Sequence, residues 1–496
     1  VQRAAPAALL AAMAALLVLS SLHKPLSYDE LDNLAYGHRF LVKGPSAAMQ
    51  GQRMPILAVN ALGCLDVGCR KDAVNATETR LLLVRLPTMV FTLLLGLAVY
   101  AWTKEAVGPG AALAALALYA TNPSFLAHGK QVTSDVQTAL FSTVAVWTLW
   151  RFGRGGRTRD VLASAGATAA ALLSKFTALA LLPAFAVLAA LHARRTGRWR
   201  QTLLGGAAFL ALVGLLVNAA YLFDGSFQRA GDLPWQSRAF QRLAGVPLPV
   251  PLPRVFVLGL DYSSTLQENP EMARGQNYVL GALNRDGRWY AFPLMLLLKT
   301  PLAFFVLLGI AAVRRAGIPW SFLLPPALAV LAFFSLLADP QLGIRYVLPV
   351  LPFLIVAAGT GAERAPRWAA ALLLAWHAGS ALSYHPHYMA YFNELIGRRV
   401  NAYRFLADSN LDWEDHSYFI ARFQQRHPEL RLVVDPPAPQ AGDILVGANQ
   451  LVGIFDEERY RWLRENFTPV GHVAYSHLLF HVTPEQLATV RPASPP

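Results

Sequence analysis

Apolar runs of near membrane-crossing length recur along most of this chain, separated by short polar connectors. Eleven stand out, at 4–22, 81–103, 110–127, 134–152, 160–173, 176–192, 201–222, 290–313, 318–338, 344–361 and 368–384. A helix needs about 20 apolar residues to cross a bilayer core, and several of these runs are shorter. The runs 160–173 and 176–192 also read as one long stretch broken at Ser174-Lys175-Phe176. The first run has no clear Ala-x-Ala cleavage site after it, so it is expected to stay as a helix. After residue 384 the periodicity changes. Leu432-Val433-Val434, Ile444-Leu445-Val446 and Leu478-Leu479-Phe480 predict short strands, and 412–427 and 456–466 predict helices. The expected fold is therefore a polytopic α-helical membrane protein. A transmembrane domain spans 1–384, with long loops at 23–80 and 223–289, and a small α/β domain spans 385–496.

Composition agrees with the pattern. Of 496 residues, 55% are hydrophobic and only 15% are charged, with a mean hydropathy of +0.37. A soluble chain carries about 25% charged residues. The net charge of +13 does not point to nucleic acid, because the arginines sit in short connectors. Arg151, Arg154, Arg157 and Arg159 fill one connector, and Arg194, Arg195, Arg198 and Arg200 fill a second. Arg314 and Arg315 mark a third, and Arg364 and Arg367 a fourth. With eleven spans and a cytoplasmic start, all four connectors fall on the cytoplasmic side, as the Lys/Arg bias of membrane proteins requires. The long loops and the tail then face outward.

Outside the apolar runs, chemistry concentrates in a few places. Asp29 and Glu30 follow the first run directly, and an acidic pair at the mouth of a bundle is costly unless paired, hydrated or used. A carboxylate there is suited to general-base work, although a helix cap at Ser27 or Asp29 explains it equally simply. Asp135 opens the fourth run, in company with His128 and Lys130 on the same connector. Two converging carboxylates could orient an acceptor or bind a divalent ion. Lys175, Lys299 and Arg345 are cations at membrane depth, where they pair or face a polar cavity. Phosphate suits them as a partner, and snorkelling to the interface is the simpler alternative. Cys64 and Cys69 are two free thiols or a small disulfide loop. His385, His387 and Tyr388 read as an interfacial anchor, and Asp408–Trp413 as a site or a helix cap. These residues complete no metal ligand set, so no metal is assigned, and divalent-ion dependence stays open.

Taken in order, these motifs resemble one family. Tyr28-Asp29-Glu30 is similar to the first acidic motif of the bacterial polyprenyl-phosphate-dependent glycosyltransferases of the protein O-mannosyltransferase superfamily (glycosyltransferase family 39, C-type membrane fold). Lipid A aminoarabinose transferases are relatives. Ala127–Asp135 resembles the family's second acidic motif, and Leu172–Thr177 its turn between two helices. Asn277–Gly281, Trp289–Pro293 and Leu298–Pro301 resemble its eighth-span entry, and Arg345–Pro352 its lipid-carrier span. His385–Glu394 and Asp408–Trp413 resemble the C-terminal domain of a subgroup. Two positions depart. Ala282 stands where relatives often carry Glu, and Glu414-Asp415-His416 stands where they often carry Gly-Gln-Asp. The resemblance implies inverting transfer of a sugar from a polyprenyl-phosphate donor to an outer acceptor, which is a protein hydroxyl, a glycolipid or an envelope glycan. It implies Asp29 as the base, Asp135 as the second catalytic carboxylate, and Arg345, Tyr346, Lys299 and Lys175 around the lipid phosphate. Glu30, His128 and Lys130 would support them. The implied location is a bacterial inner membrane, with the tail outside. No cofactor follows beyond the lipid-linked donor. Partners would be that lipid, the acceptor and possible membrane-complex subunits, not nucleic acid. Two rival readings are a catalytically silent subunit of a membrane complex and a secondary transporter.

Overall fold

The computed structural model describes residues 4–46, 51, 53–269, 277–284, 286–314, 317–339 and 341–490. Each of the eleven apolar runs is helical, but their lengths differ. Among the described residues six helices are long and apolar enough to cross a membrane: Ala4–Ser21, Glu78–Ala106, Phe176–Thr196, Trp199–Ala220, Trp320–Leu337 and Ile344–Arg364. The run 290–313, expected to be one span, is instead two helices, Ala291–Lys299 and Leu302–Val313, bent by 108°. Pro301 explains the break, because it cannot donate into the ladder and disfavours helix at Thr300. The carbonyls freed there are not left orphaned. Asn393 of the tail donates from Nδ2 to the carbonyls of Leu297 (2.5 Å) and Thr300 (2.8 Å), and from its own amide to Leu298 (2.9 Å).

The runs 160–173 and 176–192 form separate segments. The helix Thr158–Leu172 stops short of Lys175, and a 3-10 turn at Phe176–Ala180 starts the return helix Leu181–Thr196. This restores the parity that brings the basic connectors together. Arg151 reaches Glu105 (3.5 Å) and Asp160 (3.8 Å), and Phe152 packs on His192 at 6.1 Å. Gly153 faces Phe322, and Arg314 and Arg364 each donate to the other's backbone carbonyl. All four basic connectors therefore meet at one end of the bundle. Lys175, Asp29 and the tail sit at the other.

At that second end, the long loops are built from helices and one hairpin. β1 (Asn277–Val279) and β2 (Ala282–Asn284) pair antiparallel around Leu280-Gly281, both with positive φ (51° and 82°). Val279 bridges to Leu406, and the Leu280 amide donates to Phe405 at 2.7 Å. The departure at Ala282 thus falls on the exposed first residue of β2. In the tail, β3 (Leu432–Val434), β4 (Gly442–Gly447), β5 (Gly471–Val473) and β6 (His477–Val482) form a sheet of order β3-β4-β6-β5. The β3–β4 pair is parallel and the others are antiparallel. The predicted helix 412–427 is shorter, Ser417–Arg426, because residues 408–416 are held by side-chain contacts in an irregular run.

Candidate active site

Asp29 and Glu30, adjacent in sequence, are given opposite environments by the helix Tyr28–Lys43. Glu30 is 1% exposed. It reaches back to the Ser27 amide (3.0 Å), which is half of a capping box. It also takes Arg85 as a fork, at 2.9 Å from Nε and 2.9 Å from Nη2, and accepts from the Val132 amide at 3.1 Å. Burial would raise its carboxyl, but Arg85 outweighs that and holds it below the usual range. Arg85 continues to the carbonyls of Ser21, Lys24 and Pro25. Glu30 is thus a clamp joining the first helix, the loop, the second span and the 128–134 connector.

Asp29 points the other way. Its side chain is 36% exposed, and Oδ2 lies 3.1 Å from Arg345 Nη1. Arg345 also lies over the rings of Trp413 (4.2 Å) and Tyr346 (5.4 Å), and its buried Nε has no hydrogen-bond partner. Asp135 is buried against Lys175, with Oδ1 2.6 Å from Nζ. Lys175 in turn lies over the Tyr346 ring at 4.6 Å. Tyr346 is therefore flanked by two cations, each paired to one of the two carboxylates. Cation–π contacts of this kind contribute about 0.5–2 kcal/mol and fix where each cation sits. A cleft of about 260 Å³ opens at the start of the helix Tyr28–Lys43, lined by Ser27, Tyr28, Leu31, Lys71, Trp413 and Glu414 among others but not by Asp29.

Other expected residues take different positions. Lys299, expected to meet phosphate, instead donates to the carbonyls of Met389 (2.7 Å) and Asn410 (2.5 Å), with its ammonium over Phe392. Its helix has ended, so its charge serves to dock the tail. Lys130 donates to the Ser20 carbonyl (2.6 Å) and to Glu414 (2.7 Å). Lys24 meets the same carboxylate at 2.6 Å and the Pro386 carbonyl at 2.9 Å. Burial would raise Glu414, yet Lys130 and Lys24 hold it well below the usual range. Burial dominates for Lys24, which falls to about 7 although Glu414 pulls it up. The departure at Glu414 is thus the counter-ion of two buried lysines. His128 is buried, with its ring 5.9 Å from Trp413. Cys64 and Cys69 are disulfide-bonded.

The sequence reading missed three features. Arg85 lies inside an apolar run, where one arginine gave no periodic signal. Asp408 belongs to a motif already noted, but its environment was not visible in sequence. It is held at φ 55°, accepts from the Ser409 amide, and burial pushes its carboxyl up to about 6 although Arg345 opposes this. Asp412, His416 and His477 each bring a donor atom within 4.8 Å of the other two, across 60 intervening residues.

Residues 77–221 match the family model described as dolichyl-phosphate-mannose-protein mannosyltransferase. Among solved structures, the chain is similar to ArnT from Cupriavidus metallidurans bound to undecaprenyl phosphate, with a TM-score of 0.50 and 14% identity over 98% of this chain and 99% of that one. The same protein in the apo state gives 0.49 and 14%, with the same coverage. The archaeal oligosaccharyltransferase AglB from Archaeoglobus fulgidus, in complex with an inhibitory peptide and a dolichol-phosphate, gives 0.47 and 13% over 72% of this chain and 50% of that one. No curated protein matches the chain. Over its full length the chain thus shares the C-type membrane fold of ArnT, and its 77–221 segment is similar to the mannosyltransferase family.

Proposed function

We propose that the chain transfers a sugar, with inversion, from a polyprenyl-phosphate donor to an acceptor that enters from the extracytoplasmic side. The observation that carries this reading is the double ion pair around Tyr346: Asp29 with Arg345, and Asp135 with Lys175. Arg345 offers the phosphate a planar fork whose Nε is unspent, and Lys175 offers a point charge. A phosphate seated on Arg345 takes over the contact that Asp29 holds. Asp29, whose side chain is open to solvent, is then free to accept the proton of an acceptor hydroxyl or amine. The acceptor heteroatom bonds to the anomeric carbon as the bond from that carbon to the phosphate oxygen breaks. The electron pair leaves with the polyprenyl phosphate, where Arg345 and Lys175 stabilise the charge as it develops. Asp135 positions Lys175, and Glu30 positions the backbone that carries Asp29. ArnT was solved with undecaprenyl phosphate, and that lipid is the probe of choice here.

The test is native mass spectrometry of the purified chain with undecaprenyl phosphate added. The wild type is expected to retain one lipid per chain, and Arg345→Ala to lose most of it. Equal retention by both would remove Arg345 from the phosphate site.

A further inference from the structure

The cluster of Asp412, His416 and His477 belongs to neither ion pair of the catalytic site. Asp412 lies within the irregular run 408–416, His416 immediately precedes the helix Ser417–Arg426, and His477 opens β6. One donor atom from each lies within 4.8 Å of the other two. Ser476 sits between the rings, with its Oγ 3.1 Å from His416 Nδ1 and 3.0 Å from His477 Nδ1. That hydroxyl orients both imidazoles through Nδ1, as outer-shell partners do at metal sites, and leaves Nε2 as the ligand atom on each ring, that of His416 standing 3.8 Å from Glu414 Oε2. His416 is 3% exposed, and its Nε2 has no hydrogen-bond partner. An imidazole nitrogen left unpaired in the interior is costly. Gly447 keeps space open beside the donors: a Cβ there would stand 3.1 Å from Asp412 Oδ2 and 3.7 Å from His477 Nε2. Asp412 Oδ2 receives only one long contact from a backbone amide, that of Asn449 at 3.5 Å.

We propose that Asp412, His416 and His477 bind a divalent transition-metal ion of the zinc class. Two imidazoles and one carboxylate are the donor set that such ions take, with a fourth position left for water. The ion joins β6 to the 408–416 run, which also carries Trp413 over Arg345 and the Asn410 carbonyl that receives Lys299. This proposal rests on the tail's own geometry and not on the transfer reading, so either can fail alone.

The experiment uses the full chain in lipid nanodiscs, stripped with a chelator and desalted, then titrated with zinc ion alone. One zinc per chain is expected to remain after gel filtration, together with a rise of several degrees in unfolding temperature. The His416→Ala/His477→Ala double variant should retain none, Ser476→Ala should bind about tenfold more weakly, and His427→Ala, at an exposed histidine paired with Glu429, should match the wild type. If the double variant does not fold, stoichiometric cobalt(II) added to the stripped wild type decides. Tetrahedral visible bands that zinc displaces support the site, and their absence overturns it. Equal zinc retention by the wild type and the folded double variant also overturns it and leaves a plain hydrogen-bonded cluster.

Discussion

Asp29 and Glu30 differ by one position and one methylene, and the helix they share sends them to different tasks. Glu30 is buried on Arg85, and Asp29 is open beside Arg345. Asp29→Asn is therefore expected to leave folding intact and to cut transfer roughly 10²–10⁴-fold, the usual share of a general base. A transfer assay beside a thermal melt would check both halves. Arg85→Leu should do the reverse first. It leaves an uncompensated carboxylate and costs about 3–5 kcal/mol of stability, visible as a lower unfolding temperature before any assay of activity. Asp408 supplies a pH signature. Its carboxyl titrates at about 6 in the fold, above its ordinary value near 4. The folded state therefore binds the extra proton between those values, and stability rises as pH falls through 6. Asp408→Asn keeps a side chain that tolerates positive φ and removes the buried charge. It should melt higher than wild type at pH 7.5, with the difference gone by pH 4. An unchanged gap across that range would mean that Asp408 is not the titrating group.

Helices and loops at the site end are joined by buried polar ties as well as by apolar contact. Glu414 holds Lys24 from the first loop and Lys130 from the second connector, and Lys299 and Asn393 dock the tail on the broken helix. Glu414→Leu removes the shared counter-ion of buried Lys24 and Lys130 and is expected to cost roughly the 3–5 kcal/mol of a broken buried pair. A Lys24→Met/Lys130→Met/Glu414→Leu triple variant should recover much of that loss, because an apolar replacement of a whole network is often neutral. Comparing unfolding temperatures across the three proteins measures this directly. The motif Leu298-Lys299-Thr300-Pro301 was legible as a break, since proline announces it. That the break turns the chain by 108° was not legible, because the angle is set by Asn393, which lies more than 90 residues later.

For the whole molecule, the parity of the crossings decides what faces where. Separate segments at 160–173 and 176–192 place all four arginine connectors at one end, which the Lys/Arg bias assigns to the cytoplasm. On that assignment the tail and both carboxylates are expected at the outer end. Single cysteines at Gly197 and at His427 test this with a membrane-impermeant thiol reagent on intact cells. The native pair Cys64 and Cys69 is already bonded and silent. Position 427 should label from outside and position 197 only after permeabilisation; the opposite pattern would invert the topology.

The sequence alone carried the architecture. Apolar runs must be helical in a bilayer because every backbone group needs an internal partner there, and arginine placement orients them. Local motifs also put Asp29, Asp135, Lys175, Arg345 and Tyr346 on a short list of candidates. Whether a listed cation is spent or available was decided only in three dimensions. Lys299 and Lys130 are fully buried where Lys175 is half-buried, and their partners come from residues 389, 410 and 414, far along the chain. The Asp412, His416 and His477 cluster has the same origin. No spacing rule joins positions 60 residues apart, and the pairing of β4, β5 and β6 sets that distance.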